Sequence, residues 1–372
     1  MLGQNRIKVF DTTLRDGEQA PGVVLSPQTK IELARKFDEF GVDSIELMPV
    51  VSKNEMYVAK TLSHEGLNTE LTALTRLIES DINTVLECDI PRVLLFTAVS
   101  DIQRTVKLGI SREQNLTRAH EMVDYALSHG LKVDFGGEDA ARLYLEDPKY
   151  LVHFIKELSD KIDYFYVPDT ISCLLPHETY ECIKYIKEDC RCKVILHNHN
   201  DLGLATANVL EGLRAGADGF SGTFTGIGER AGNTPIEEVC IALKVKGIEL
   251  NVKYEMLNEI CSSVARYFNI QLQPHKPIVG KNVFTHESGI HVSAMIKDLT
   301  TYQIINPRTV GRETVFLFGK KSGRAGLRYV LRDYRPSEEE INDLLGKIKE
   351  ISESNKTSLS GLEVIELYRS LR

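Results

Sequence analysis

Two stretches far apart in the chain carry residue types that could do chemistry together. The first, Asp11-Thr-Thr-Leu-Arg-Asp-Gly-Glu-Gln19, puts two acids and an arginine directly after the apolar run Ile7-Lys-Val-Phe10. The second, His197-Asn-His-Asn-Asp201, closes another apolar run. Residues two apart on a strand point to the same face, so His197 and His199 present both imidazoles on one side. Such a pair with a carboxylate suits a divalent metal that keeps positions open for substrate. Asp16 is the expected carboxylate if the two strand ends are neighbours. Without that neighbourhood, two strand-end histidines hydrogen-bonded to their surroundings are the plainer reading.

The elements that must position these residues follow a rhythm. Short β-branched or apolar runs alternate with charge-rich stretches of helical period from Ile7 to about Phe224. The expected strands are Ile7–Thr13, Val42–Met48, Thr69–Thr75, Arg92–Ala98, Lys132–Glu138, Tyr164–Thr170, Lys193–His199 and Asp218–Phe224. Their spacing, roughly 25 to 35 residues, is that of a strand-plus-helix unit. Ser26-Pro27 supplies an N-cap with proline at the first helical position, Ser111-Arg-Glu-Gln114 has the form of a capping box, and Asp147-Pro148 opens another helix. The expected fold is therefore α/β: a TIM (β/α)8 barrel with a small mixed C-terminal appendage, an open doubly wound sheet being the alternative.

Active sites of such barrels lie at the C-terminal ends of the strands. Those ends carry Arg15 and Asp16, Glu46, Arg76, Ser100, Glu138, Asp169 and Thr170, His197 and His199, and Thr223 with Thr225. The strand starts carry Lys8, Asp43, Lys132 and Lys193. Reactive side chains thus gather on one rim. After the eighth strand, Gly226-Ile-Gly-Glu-Arg-Ala-Gly-Asn233 precedes a helix from about Ile236 and could approach an anion through backbone amides. The barrel domain is expected over residues 1–265 and a linker and dimerisation region over 266–372. The latter shows too few apolar faces for a generous core of its own.

Bulk properties exclude several classes. The 372 residues include 45 basic and 53 acidic side chains, a formal net charge of −8, so no nucleic-acid footprint shows. A small anionic substrate would have to meet locally placed arginines. No apolar run approaches the ~18 residues of a membrane span, and the first residues lack the apolar core of a signal peptide. The seven cysteines are scattered, and Cys190 and Cys192 have no common zinc or redox spacing. Reduced, mostly buried thiols in a cytoplasmic protein are expected.

Four motifs in order, Asp11-Thr-Thr-Leu-Arg-Asp-Gly-Glu-Gln19, His197-Asn-His-Asn-Asp-Leu-Gly203, Gly226-Ile-Gly-Glu-Arg-Ala-Gly-Asn233 and His286-Glu-Ser-Gly-Ile-His291, resemble those of the isopropylmalate/homocitrate/citramalate synthases, members of the DRE-TIM metallolyase superfamily. The resemblance covers nearly the whole chain. It implies an acyltransferase of amino-acid biosynthesis that converts the acyl group to an alkyl on transfer, by Claisen condensation of acetyl-CoA with a 2-oxo acid and thioester hydrolysis. It implies a divalent metal (Zn, Mn, Mg or Co) held by Asp16, His197 and His199 with Asn233 at or beside it. Arg15 would stabilise charge on the ketone oxygen, and Glu138 and His291 would be the acid/base pair. Thr170 would hold the substrate carboxylate. His291 and Tyr302 would act in the partner subunit's site of a domain-swapped homodimer.

The acceptor is less sharply marked. The stretch Glu46-Leu-Met-Pro-Val-Val-Ser-Lys53 resembles the citramalate type, with pyruvate as acceptor, whereas His275–Val292 resembles the nitrogenase-associated homocitrate type. Gly136 and Leu94 stand where a serine and, in isopropylmalate synthases acting on 2-oxoisovalerate, a histidine are common, and Ser172 replaces a usual glycine. A 2-oxodicarboxylate such as 2-oxoglutarate needs a distal cation, and Arg76 and Arg142 lie on the correct rim to supply it. Homocitrate-type chemistry is therefore the first expectation. Competing classes are a carbon–carbon lyase of the same superfamily, disfavoured because Gly226–Pro235 carries no cysteine, and a metal-binding barrel without turnover.

Overall fold

The computed structural model describes residues 6–372. Eight parallel strands close into a barrel: β1 (Lys8–Asp11), β2 (Ser44–Leu47), β3 (Glu70–Arg76), β4 (Arg92–Ala98), β5 (Lys132–Glu138), β6 (Tyr164–Asp169), β7 (Lys193–Asn198) and β8 (Gly219–Gly222). Each strand pairs with the next, and β8 returns to β1 in the register Lys8↔Gly219 through Asp11↔Gly222. That closure requires glycine at 219, because a Cβ there would sit 2.5 Å from the Lys8 carbonyl oxygen. All eight expected strands form, with ends shifted by a few residues, and the open-sheet alternative is excluded.

The intervening helices start where their caps dictate. Ser26 Oγ accepts from the Thr29 N–H (3.1 Å) ahead of the helix Pro27–Phe40, which ends at Gly41 in the left-handed region (φ 97°). Ser111 and Gln114 complete a reciprocal capping box for Arg112–Ser128. Asp147 accepts from the Tyr150 N–H (3.1 Å) at the head of Pro148–Leu158. Inside the barrel, Phe10, Leu74, Leu94, Tyr164, Tyr166 and Ile195 form a buried cluster. The rings of Phe10 and Tyr164 meet edge-on, 5.3 Å between centroids.

The two barrel ends differ as the residue types imply. At the strand starts, Arg92 is held by Glu70, Asp134 and Asp163, while Lys8 and Arg6 both reach Asp43. Burial raises the Asp134 carboxyl to about 7 in spite of Arg92. These are structural ion pairs. Six of the seven cysteines are buried. Among the described residues no helix is long and apolar enough to cross a membrane.

The chain separates into two compact units, one running through Lys253 with Glu259–Gln271, the other comprising Tyr254–Asn258 and Leu272–Arg372. The second contains a three-stranded sheet of β9 (Thr285–His286), β10 (Val315–Phe318) and β11 (Leu359–Ser360), with β10 central. The expectation of too few apolar faces is corrected here. Phe318, Leu327, Leu331, Ile341, Leu344, Ile348, Leu359, Val364 and Tyr368 form a buried core within this unit. The helices Glu338–Asn355 and Gly361–Ser370, each with a capping box, contribute most of it by presenting one apolar stripe.

Candidate active site

The turn after β1 is built from its own side chains. Thr13 Oγ1 donates to Asp11 Oδ2 (2.6 Å), Thr13 N–H donates to Asp11 Oδ1 (3.1 Å), and Thr13 Oγ1 accepts from the Phe224 N–H (3.0 Å). Asp11 is therefore a support for the turn and ties it to the end of β8. Complete burial raises its carboxyl to about 8, although both Thr13 hydrogen bonds act in the other direction.

This turn aims Arg15 and Asp16 at the end of β7. Asp16, His197 and His199 are all buried, and one ligand-capable atom of each lies within 4.8 Å of the others. His197 Nε2 is 3.5 Å from Asp16 Oδ2, and His197 Nδ1 lies 3.3 Å from Ser221 Oγ. Asn233 donates through Nδ2 to Asp16 Oδ1 (3.0 Å), while Asn233 Oδ1 and His199 Nδ1 are buried without a hydrogen-bond partner. Buried polar atoms are seldom left unpaired. One carboxylate, two imidazoles and an unpaired amide oxygen fit a divalent cation with open positions.

Electrostatics prepares the set for that role. Burial opposes ionisation of Asp16, but the Arg15 guanidinium and the two neighbouring histidines outweigh it and hold the carboxyl well below the usual range. Burial, reinforced by His197, lowers His199 to about 4. The cluster therefore offers an ionised carboxylate and a neutral His199 near neutral pH. Arg15 donates to Asp16 Oδ2 through Nη1 (2.7 Å) and to Glu46 through Nε. Thr12 Oγ1 also donates to Glu46 (3.3 Å). The guanidinium is thus fixed beside the metal candidates by two buried acids.

These residues open into a cavity of about 300 Å³ whose polar lining includes Arg15, Asp16, Glu138, Thr170, His197 and His199. Thr170 Oγ1 accepts from the Asp139 N–H (3.0 Å). The glycine-rich loop after β8 serves packing: a Cβ on Gly228 would stand 2.1 Å from Asn233 Nδ2 and 3.3 Å from Asp16 Oδ1. Gly228 thereby lets the backbone lie against the Asp16–Asn233 pair.

Two expected substrate contacts are corrected. Arg76 is bound bidentately by Asp81 (2.8 and 3.0 Å), and Arg142 pairs with Asp139 (2.9 Å). Neither lines the cavity among the described residues. Each arginine has an acid within five residues in sequence, and Arg76 lines an adjoining hollow that shares Phe96, Lys107 and Glu138 with the cavity. His291 and Tyr302 belong to the second unit, where their rings stack at 4.1 Å between centroids.

The structure adds Lys107, which sequence reasoning missed. It lines the cavity and donates to Glu138 Oε1 (2.5 Å). It rides on a π-helical turn, Arg104–Leu108, closed by Gly109 at φ 64°. Such turns recur at functional sites, yet nothing in the residue pattern announces one. Glu46, noted only as a rim residue, proves to be the partner of Arg15.

Comparison with known proteins places this geometry. A family model described as HMGL-like matches residues 6–264, and one described as homocitrate synthase post-HMGL domain-like matches residues 278–356. A probable 2-isopropylmalate synthase of Methanopyrus kandleri is 41% identical over 357 residues, 95% of this chain and 71% of that protein. An (R)-citramalate synthase of Methanocaldococcus jannaschii is 39% identical, covering 98% and 74%. A homocitrate synthase of M. kandleri is 38% identical, covering 99% and 93%. The fold matches the crystal structure of hydroxymethylglutaryl-CoA lyase from Pseudomonas aeruginosa with a TM-score of 0.65 at 20% identity, over 73% of this chain and 96% of that one. From its motifs, its barrel and these relatives together, the chain belongs to the isopropylmalate/homocitrate/citramalate synthase family of the DRE-TIM metallolyase superfamily.

Proposed function

We propose that the protein is an acyltransferase that condenses the acetyl group of acetyl-CoA with a 2-oxo acid and hydrolyses the thioester. One observation carries the reading: Asp16, His197 and His199 converge beside Arg15 and Glu138 in one cavity, with Asn233 Oδ1 and His199 Nδ1 unpaired. Asp16, His197 and His199, with Asn233 beside them, would hold a divalent ion (Zn, Mn, Mg or Co), which when bound supplies Lewis-acid polarisation of the ketone.

The chain's own residues do the remaining work. Arg15, fixed by Glu46 and Asp16, stabilises negative charge developing on the ketone oxygen. Thr170 Oγ1 already accepts a hydrogen bond, so its O–H is available to donate to the acceptor's carboxylate. Glu138, oriented by Lys107, exchanges a proton with the reactants. Loss of a methyl proton makes the acetyl group an enolate-like nucleophile. Its carbon bonds to the ketone carbon, and the ketone oxygen takes up a proton. Water then cleaves the thioester C–S bond, leaving free CoA and a carboxylate. In the swapped homodimer that the family resemblance implies, His291 of the partner subunit is the second acid/base group, beside Tyr302 of the partner subunit. Residues 266–372 are then the linker and dimerisation region.

The homocitrate-type expectation, with 2-oxoglutarate as acceptor, drew on the His275–Val292 stretch and on Arg76 and Arg142; the pairing of these arginines with Asp81 and Asp139 bears only on the second ground. Pyruvate and 2-oxoisovalerate need no distal cation. Metal-dependent CoA release from acetyl-CoA, followed with a thiol reagent across glyoxylate, pyruvate, 2-oxoisovalerate, oxaloacetate and 2-oxoglutarate, tests the reaction. No release with any acceptor would sink it. Asp16→Ala and His197→Ala should each abolish turnover while circular dichroism shows the barrel intact.

A further inference from the structure

We infer that the cavity selects a 2-oxo acid bearing a short, uncharged alkyl side chain larger than methyl; this rests on the condensation proposed above. Beyond its polar lining, the cavity is bounded by Met48, Leu74, Leu94, Phe96 and Tyr166. Leu74, Leu94 and Tyr166 belong to the barrel's interior cluster, and Met48 and Phe96 pack against that cluster. This part of the wall is the open top of the hydrophobic core. An alkyl group laid on it removes apolar surface from water on both sides of the contact.

The cations of the cavity's own lining, and the two arginines expected to serve it, are held by acids among the described residues. Arg15 is committed to Glu46 and Asp16, Arg76 to Asp81, Arg142 to Asp139, and Lys107 to Glu138. A distal carboxylate on this wall would lose its water without gaining a counter-ion, a costly exchange. Apart from Arg15, Lys107 is the lining cation among the described residues that a longer acid could recruit, and only by drawing it away from Glu138.

Size follows from Gly136, which lines the cavity between these groups. A Cβ built on it would meet Phe96 Cβ at 3.5 Å and Leu94 Cδ1 at 3.8 Å, ordinary contact distances. Its absence leaves a methyl group's worth of space beside two apolar neighbours and the Leu95 carbonyl. An acceptor ending in a methyl group leaves that space unfilled, whereas an ethyl or branched alkyl group can occupy it.

The test pairs turnover with direct binding. CoA release at saturating acetyl-CoA is measured with pyruvate, 2-oxobutyrate, 2-oxoisovalerate, 4-methyl-2-oxopentanoate and 2-oxoglutarate, and binding of the same acids to the metal-loaded protein is measured by calorimetry. At least one of the three larger alkyl acids should exceed pyruvate in kcat/KM by about 10-fold or more, with 2-oxoglutarate below pyruvate and affinities in the same order. Gly136→Ser should cut kcat/KM for the favoured acid by roughly 10-fold relative to pyruvate, by filling the space it uses. Lys107→Met should leave the ranking of acceptors unchanged. Pyruvate equal to or above every larger acid, or 2-oxoglutarate preferred, would overturn the inference while leaving the condensation standing. Tighter binding of the larger alkyl acids without CoA release from any acceptor would do the reverse.

Discussion

Replacing Glu46 by glutamine probes how the metal candidates and the arginine are coupled. Arg15 is shared between two buried acids, and its side chain is only 12% exposed. With Glu46 ionised, the guanidinium divides its charge between Glu46 and Asp16. Glutamine keeps an acceptor for Arg15 Nε but removes one negative charge, so Arg15 then leans on Asp16 alone. The Asp16 carboxylate becomes a weaker metal donor, and the guanidinium is less freely presented to a ketone oxygen. Groups that orient metal ligands typically change affinity or activity by about 10- to 100-fold when replaced. Leaving a buried charge without its partner costs about 3–5 kcal/mol. Here Asp16 and the glutamine carbonyl remain, so the stability loss should be nearer about 1.5–3 kcal/mol, the range of a hydrogen bond to a charged group. For a barrel of this size that is a fall in Tm of a few degrees, at roughly 2–4 °C per kcal/mol. The assay is kcat/KM for CoA release, with metal affinity from calorimetry and Tm from circular dichroism. Unchanged kcat/KM and metal affinity in Glu46→Gln would refute the coupling. Collapse of the fold, with a Tm drop far beyond this range, would show that Glu46 serves the barrel first.

Two further perturbations test the surroundings. Burial raises the Asp11 carboxyl from 3.8 to about 8. The folded protein therefore binds a proton that the unfolded chain releases above about pH 4, and this contribution to stability is lost as pH rises towards 8. Urea titrations at pH 5, 7 and 8.5 should show that decline, and Asp11→Asn should flatten it; an unchanged slope would contradict the protonated carboxyl. Gly228→Ala would push a Cβ into Asn233 Nδ2. Metal affinity should fall by about 10-fold or more with little change in Tm, and undiminished affinity would mean that the Asp16–Asn233 pair is dispensable.

What the amino-acid sequence determined by itself is what local physics controls. Strand runs, Ser26, Ser111, Asp147, Ser337 and Ser360 at helix starts, and the shared face of His197 and His199 all follow from backbone hydrogen bonding and the two-residue strand period. The gathering of reactive groups on one rim follows too, since chain direction is the same in every parallel strand. Tertiary structure decided what depends on which distant or competing group wins a side chain. Asn233 meets Asp16 across 217 positions, and Lys107 reaches Glu138 only through a π turn. Arg76 and Arg142, which rim position alone directs to a substrate, are captured by Asp81 and Asp139 instead. A flexible cation takes the nearest desolvated acid, and only the packed fold reveals which acid that is.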